Sequence, residues 1–277
     1  MSLSSREVGC VVITGSTKGI GLALAHAFLD LGCSVVIAGR NAEHLKHALT
    51  HLENHFSKEK FIGSCCDVTQ IADLQALWEG AIQHFGQVNV WINNAGSCHP
   101  TKEFIDLQSD ELNAAVSTNI LGTMLGSQVA LKGMLRQGYG QIFNMEGWGS
   151  NGEWSPGMTP YATTKQAVSY FSKALYKETK STSILTGTLS PGMVATDLLV
   201  SSWTNGDVQH WKKMKRLFFF VIDPPEVVCS YLAKQIIQNK KTNRRIAWMT
   251  PWKFFLRFLQ PYYWRRNPVK GTALERL

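Results

Sequence analysis

The sequence predicts an α/β fold, a single Rossmann-type domain whose doubly wound parallel sheet carries helices on both faces. Three observations predict it. Short apolar runs such as Val11-Val12-Ile13 and Gln141 to Met145 read as buried strands. Strand and helix patterns alternate along the whole chain, as a parallel sheet covered on both faces requires. The first strand runs straight into a glycine-rich turn and then a helix, the arrangement that brings a backbone close to a pyrophosphate. At 277 residues, with no internal repeat, low-complexity segment or linker, 1–277 is read as one domain.

Composition narrows the function classes. Hydrophobic residues make up 44% and charged residues 17%, which describes a packed core and excludes a disordered chain. The N-terminus, MSLSSREVGC, shows no apolar leader with a cleavage site, so no targeting peptide is expected. Leu217 to Ile222, the longest apolar run, is too short to span a bilayer. Six cysteines without metal-like or disulfide-like spacing fit a reduced compartment. The net charge of +8 suits an anionic cofactor and an anionic surface, and is too diffuse to argue for nucleic acid.

In chain order, Val11 to Ile13 leads into Thr14-Gly15-Ser16-Thr17-Lys18-Gly19-Ile20-Gly21 and a helix from Leu22 to Leu31. The turn reads G-x-x-x-G-x-G, with the cofactor's phosphates expected on the helix N-terminus. A second strand, Ser34 to Ala38, ends in Gly39-Arg40. An NAD site would place a carboxylate there for the ribose 2′-hydroxyl. Arg40, with Lys18 in the phosphate loop, instead favours a 2′-phosphate, hence NADPH. A polar helix over 41–58 precedes a strand from Phe61 to Cys65, which ends at Asp67-Val68, suited to the adenine edge. A helix over about 70–85 and a strand from Asn89 to Asn93 lead to Asn93-Asn94-Ala95-Gly96, and a long helix from Asp110 carries Asn119.

The next stretch organises the rest. Gln141 to Met145 enters a loop rich in Gly, Ser and Trp that ends at Pro160-Tyr161 and a helix. Tyr161 and Lys165 share one helical face. An ammonium beside a phenol lowers the phenol's pKa, and a Tyr so placed can protonate a developing alkoxide. Tyr176 and Lys180 repeat the spacing in the same helix, so spacing alone does not assign the role. Position does: Tyr161 stands where strand, loop and helix meet. Beyond it come a strand from Ile184 to Ser190, the turn Pro191-Gly192, and an apolar, basic segment at about 193–222. A helix from Asp223-Pro224-Pro225-Glu226 to about Asn239 and a last strand, Arg245 to Met249, follow. The tail from about 250 is aromatic and basic, with Trp252, Phe255, Leu256 and Leu259 on one helical face and Lys253 and Arg257 elsewhere. Such a face serves as core, subunit contact or membrane-surface contact.

Thr14-Gly15-x-x-x-Gly19-Ile20-Gly21, Asn93-Asn94-Ala95-Gly96, Asn119, Tyr161-x-x-x-Lys165 and Pro191-Gly192 together resemble the short-chain dehydrogenase/reductase family, over nearly the whole chain. The resemblance implies a nicotinamide cofactor, Tyr161 as proton donor and Lys165 on the cofactor ribose. It further implies Asn119 supporting a relay water, Val194 and Thr196 at the carboxamide, Asn94 and Gly96 beside the adenosine, and assembly as a homodimer or homotetramer. The family's Ser, thirteen residues before the Tyr, is missing: Gly147 or Trp148 stands there, and Ser150 is the candidate to hold the substrate oxygen. No role is assigned to Glu146.

Within that family, Phe143-Asn144-Met145-Glu146-Gly147-Trp148-Gly149-Ser150 and Asp223-Pro224-Pro225-Glu226 are similar to the chlorophyll b reductases. That similarity implies NADPH-dependent reduction of a 7-formyl group to hydroxymethyl on a large, flat, apolar pigment. Trp148, Trp154, Met193, Trp203, Trp211 and Phe218 are expected to offer it aromatic surface. The expected compartment is bacterial cytoplasm, or a plastid if a transit peptide has been removed. The same residues would serve a steroid or lipid carbonyl, and an NADPH-binding protein without turnover is the reading from a different class.

Overall fold

The computed structural model describes residues 9–276 apart from 205. The leader reading of the first eight residues lies outside the described residues. The first half runs β1 (Cys10–Ile13), α1 (Gly19–Asp30), β2 (Ser34–Gly39), α2 (Ala42–Glu53), β3 (Phe61–Cys65), α3 (Ile71–Phe85) and β4 (Val90–Asn93). The second half begins with α4 (Ser109–Val116), α5 (Gly122–Gln137), β5 (Gly140–Met145), α6 (Thr159–Thr179) and β6 (Ile184–Ser190). It continues with β7 (Met193–Val194), α7 (Asp197–Thr204), α8 (Val208–Val221), β8 (Ile222–Asp223), α9 (Pro225–Ile237) and β9 (Arg244–Ala247), then α10 (Pro251–Phe258) and α11 (Pro261–Arg265).

Seven strands form one parallel sheet in the order β3-β2-β1-β4-β5-β6-β9. The chain leaves β1 toward β2 and later returns to its other side at β4. That reversal opens a crevice at the strands' carboxyl ends, where ligands of such sheets bind. One face packs Leu24 and Phe28 of α1 against Leu232 and Ile236 of α9. The other packs Trp78 of α3 and Val129 and Met134 of α5 over Trp91.

Beneath the crevice lies a buried polar chain. Trp91 Nε1 donates to Asn93 Oδ1 at 2.8 Å, Asn93 Nδ2 donates to Asn144 Oδ1 at 2.8 Å, and Asn144 Nδ2 donates to Ser172 Oγ at 2.9 Å. Each group is satisfied, so the chain fixes the register of β4, β5 and α6 without an unpaired polar atom.

Two residues of the 193–222 segment differ from their expected role. The segment folds into β7, α7, α8 and β8 around its own small core, in which Trp203 and Trp211 pack with Ile222, Val269 and Leu274. Trp211 is fully buried and Trp203 nearly so. These two expected substrate contacts therefore hold the lobe together, their ring centres 5.7 Å apart in its core. The helix expected from Asp110 is also interrupted: α4 and α5 are separated by a π-helical turn over Ser117–Leu121 that contains Asn119.

Candidate active site

The glycine turn forms a cradle at the end of β1. Gly15 and Gly19 have φ of +61° and +57°, and a Cβ on Gly15 would lie 2.6 Å from Ala95 Cα. A Cβ on Gly21 would strike the Gly15 carbonyl, so the third glycine is set by close approach and not by backbone angle. α1 begins without a side-chain cap and without an acid in its first turn. Its first N–H groups thus lack intrahelical partners and favour an anion. Asn94 Nδ2 donates to the carbonyls of Thr14 and Gly15, both at 2.9 Å, and ties the end of β4 to the turn.

From the far side, Thr196 closes over the cradle: a Cβ on Gly19 would meet its Cγ2 at 3.4 Å. Thr196 and Val194 sit there because Gly192 turns the chain with φ +72° and β7 pairs with β8. Lys18 and Arg40 stand exposed at the rim. Asp67 Oδ1 accepts from the N–H and hydroxyl of Thr69, and Val68 is buried. The cradle fits a dinucleotide. Ser16 is a correction: its N–H donates to the Ala38 carbonyl, its hydroxyl donates to the Ile13 carbonyl, and it is fully buried. Its donors are spent on the fold, leaving none for a phosphate.

The reacting end lies where β5, α6 and the π-helical turn meet. Tyr161 enters α6 behind Pro160, whose missing N–H costs nothing in a first helical turn. Lys165 is buried, and its Nζ donates to the Met145 carbonyl at 3.1 Å and lies 5.7 Å from the Tyr161 ring centre. Burial pushes the Lys165 ammonium down to about 8, with Cys98 and Glu146 acting in the opposite sense. Burial also raises the Tyr161 phenol, and Cys98 adds to it. Desolvation of the buried phenolate opposes the depression expected from Lys165.

Asn119 is fully buried. Its Nδ2 donates to Ser97 O and to Thr164 Oγ1, both at 2.9 Å, and its Oδ1 accepts from Ser97 N–H at 2.7 Å. Thr164 Oγ1 in turn donates to the Tyr161 carbonyl at 2.7 Å. Asn119 thus braces the loop after β4 against α6. Gly96 closes the group, since a Cβ there would lie 3.5 Å from Asn119 Oδ1 and 3.8 Å from Lys165 Nζ.

Ser150 is the second site correction. It is 1% exposed; its Oγ accepts from the Gly147 N–H at 3.0 Å and donates to the Lys165 carbonyl at 3.3 Å. The hydroxyl holds the loop on α6 and does not face the crevice. The residue that faces the phenol is Gly147, where a Cβ would stand 2.5 Å from Tyr161 Oη. Trp148, the other position considered, is exposed, and Trp154 is 72% exposed on the same loop. Met193 and Phe218 are half-buried against the small core of the 193–222 lobe.

Three contributors carry no local sequence signal. His99 is buried, its Nδ1 at 2.8 Å from the Pro100 carbonyl and its Nε2 at 3.3 Å from the Tyr161 N–H. A carbonyl only accepts, so Nδ1 holds the proton and Nε2 caps α6. Burial pushes the Cys98 thiol up to about 12, with the Lys165 ammonium acting in the opposite sense. Glu146 is buried and accepts from Arg245 Nε at 2.7 Å.

Three comparisons bear on this site. The short chain dehydrogenase family model matches residues 9–207. Chlorophyll(ide) b reductase NOL, chloroplastic, of Oryza sativa subsp. japonica is 38% identical over 231 residues, covering 82% of this chain and 66% of that one. Probable chlorophyll(ide) b reductase NYC1, chloroplastic, of Arabidopsis thaliana is 32% identical over 262 residues, covering 89% and 51%. The chain therefore spans between half and two thirds of the length of these relatives. Among solved structures, a variant of actinorhodin polyketide ketoreductase with NADPH superposes with a TM-score of 0.75 at 25% identity, covering 88% of this chain and 98% of that one. A 3-ketoacyl-(acyl-carrier-protein) reductase from Brucella melitensis complexed with NADH shares the fold at the same TM-score and 22% identity, covering 88% and 97%.

Proposed function

Because the chain belongs to the short-chain dehydrogenase family of oxidoreductases, we propose that it reduces the 7-formyl group of chlorophyll b or chlorophyllide b to hydroxymethyl, with NADPH as reductant. The observation that carries the substrate is where the similarity ends. The family model stops at 207, whereas the match to the rice reductase covers 82% of the chain, more residues than precede position 208. The likeness thus continues past 207, into residues that the family model does not match. Lys18 and Arg40 at the cradle rim support NADPH over NADH. In this reading 1–277 is one domain and 193–222 its substrate-binding segment.

Held in the glycine cradle beneath Thr196, bound NADPH would supply the hydride for the formyl carbon. The chain's residues handle the oxygen. Tyr161 Oη gives its proton to the oxygen as it becomes an alkoxide, and its raised pKa keeps that proton in place until the charge develops. Lys165, held by the Met145 carbonyl, puts its charge beside the tyrosinate that remains. Asn119 keeps α6 and the loop after β4 in register, and Gly147 leaves room for the formyl oxygen at the phenol. Trp148 and Trp154, on the exposed rim, offer surface to a flat macrocycle too large to be enclosed.

Exposed Leu121, Met124 and Leu135 in the turn and α5, with Tyr170 on α6, support assembly as a homodimer or homotetramer through these helices. A plastid, or the cytoplasm of a bacterium, is the compartment that goes with such a substrate.

The test is anaerobic incubation with NADPH and chlorophyll b or chlorophyllide b, read by absorption and chromatography. The 7-hydroxymethyl product is expected, with kcat reduced at least about 100-fold in Tyr161→Phe. Full activity in Tyr161→Phe would remove the proton-transfer assignment. No pigment product, with turnover of a steroid or lipid aldehyde, would move the substrate to that class. Cofactor binding with no turnover of any carbonyl would make this a binding protein.

A further inference from the structure

The C-terminal helix α10 is inside out. Its charged Arg257 is 2% exposed, while Trp252 is 67%, Phe255 53% and the following Leu259 65% exposed. Arg257 is inside because Asp223 of β8 is there to receive it: Nη2 donates to Asp223 Oδ2 at 2.6 Å, and Nη1 donates to the Phe220 carbonyl at 2.6 Å. Arg266, just past α11, takes the other carboxylate oxygen at 2.8 Å and also bonds the Phe219 and Ile222 carbonyls. Tyr263 lies over both guanidiniums, 4.6 and 4.4 Å from its ring centre. The outward aromatic face is thus presented by a locked structure, in a helix that turns Arg257 away from water and lays Lys253 over the Trp248 ring.

We infer that this α10–α11 face docks the protein on an anionic lipid bilayer surface. Charge selects that occupant. Residues 208–276 hold 15 Lys and Arg against three Asp and Glu, so the chain's whole positive surplus lies in this stretch. Of the three acids, Asp223 is buried in the cluster just described, and Glu275 bonds Asn267 and the Gly271 N–H. Lys212, Lys213 and Arg216 of α8 are exposed, as are Arg265 and Lys270. α8 packs against both α10 and α11, which places its cations on the lobe that carries the aromatic face.

A second copy meeting this face across a two-fold axis would bring two such positive surfaces together, which opposes self-association. A lipid headgroup region carries the opposite charge and accepts Trp, Tyr and Phe rings at its own depth. None of the described helices is long and apolar enough to cross a membrane.

The test uses the full chain and flotation with vesicles of phosphatidylcholine alone or with roughly 30 mol % phosphatidylglycerol. Binding to the anionic vesicles is expected, weakened at about 0.5 M salt. Trp252→Ser/Phe255→Ser/Leu259→Ser should lower the bound fraction by about tenfold or more. Lys212→Gln/Lys213→Gln/Arg216→Gln should lower it on anionic vesicles while leaving NADPH binding unchanged. Failure of the parent to float with anionic vesicles overturns the inference, as does unchanged flotation of the triple Ser variant. So does a parent dimer that this variant turns into a monomer, which would assign the face to a second copy. If the triple Ser variant misfolds by circular dichroism, the cation variant decides: parent-like binding at low salt overturns the inference. No carbonyl substrate enters the assay, so its outcome is independent of the proposed reaction.

Discussion

At Gly147 one missing side chain decides what the active site can hold. A Cβ there would sit 2.5 Å from Tyr161 Oη and 3.1 Å from both Cγ and Cε of Lys165. Lys165 is fixed to the Met145 carbonyl, so the phenol is the neighbour that must move. Gly147→Ser, which would put back the family's usual hydroxyl, is therefore expected to lower activity, with kcat falling about tenfold or more as the phenol is displaced. Steady-state kinetics on the pigment checks this, and a gain in kcat would show that the phenol has room to move. Ser150 is not a substitute for that hydroxyl, and Ser150→Ala would act through the loop, since both of its partners are backbone groups.

At the scale of elements, the site is set by what ties strand ends together. Glu146 at the end of β5 pairs with Arg245 on β9, and Arg245 Nη2 also donates to Ser190 Oγ of β6 at 2.9 Å. This clamps three neighbouring strand ends under the loop that bears Gly147. It also places a carboxylate that favours the charged form of Lys165. The folded Lys165 titrates at about 8, below an ordinary lysine, so its proton leaves the native site as pH rises through 8. If Tyr161 is the proton donor as proposed, kcat/KM for reduction should accordingly fall above about pH 8, where the Lys165 charge beside it is lost. Between about 8 and an ordinary lysine value the unfolded chain binds more protons than the folded one, so this group's contribution to stability rises with pH over that window. Glu146→Gln should shift the alkaline limb of kcat/KM to lower pH. A limb that stays in place would reduce Glu146 to a clamp.

Sequence and structure part company along the same line. The glycine turn and the Tyr161–Lys165 pair were legible because their chemistry is local: three or four residues of spacing fix them on one turn or one face. The Glu146–Arg245 pair was not, because its partners lie 99 residues apart and meet only when β6 brings β9 beside β5. The π-helical turn at Asn119 has no periodic signature that separates it from α-helix, so the sequence reads a continuous helix. Trp203 and Trp211 misled for a related reason: a run of large apolar side chains has the same pattern whether it packs a lobe or lines a pocket. What decides is Val269 and Leu274, which arrive from far along the chain to bury them.

On the scale of the whole molecule, Asp223 joins the cofactor cradle to the C-terminal lobe. Its carboxylate receives Arg257, Arg266 and the Trp248 indole N–H, while its backbone carbonyl accepts the Ala195 N–H at 3.0 Å and its strand pairs with Val194. One residue thus anchors the tail on one side and the loop bearing Val194 and Thr196 on the other. Asp223→Asn would leave two buried guanidiniums without a counter-charge, a change that costs roughly 3–5 kcal/mol when a buried pair loses one partner. The loss should be local, because the two faces of the sheet have apolar cores of their own. Limited proteolysis of this variant should therefore cut first within 197–222 or 251–276, while the sheet with α9 and β9 persists. NADPH should bind several-fold more weakly, since β8 no longer holds β7 against Gly19. Trp252→Ser/Phe255→Ser/Leu259→Ser removes only exposed side chains and should change neither readout. If Asp223→Asn instead loosened the sheet and the lobe together, the lobe would be an inseparable part of the main core, and the cofactor loop would owe its position to the sheet alone.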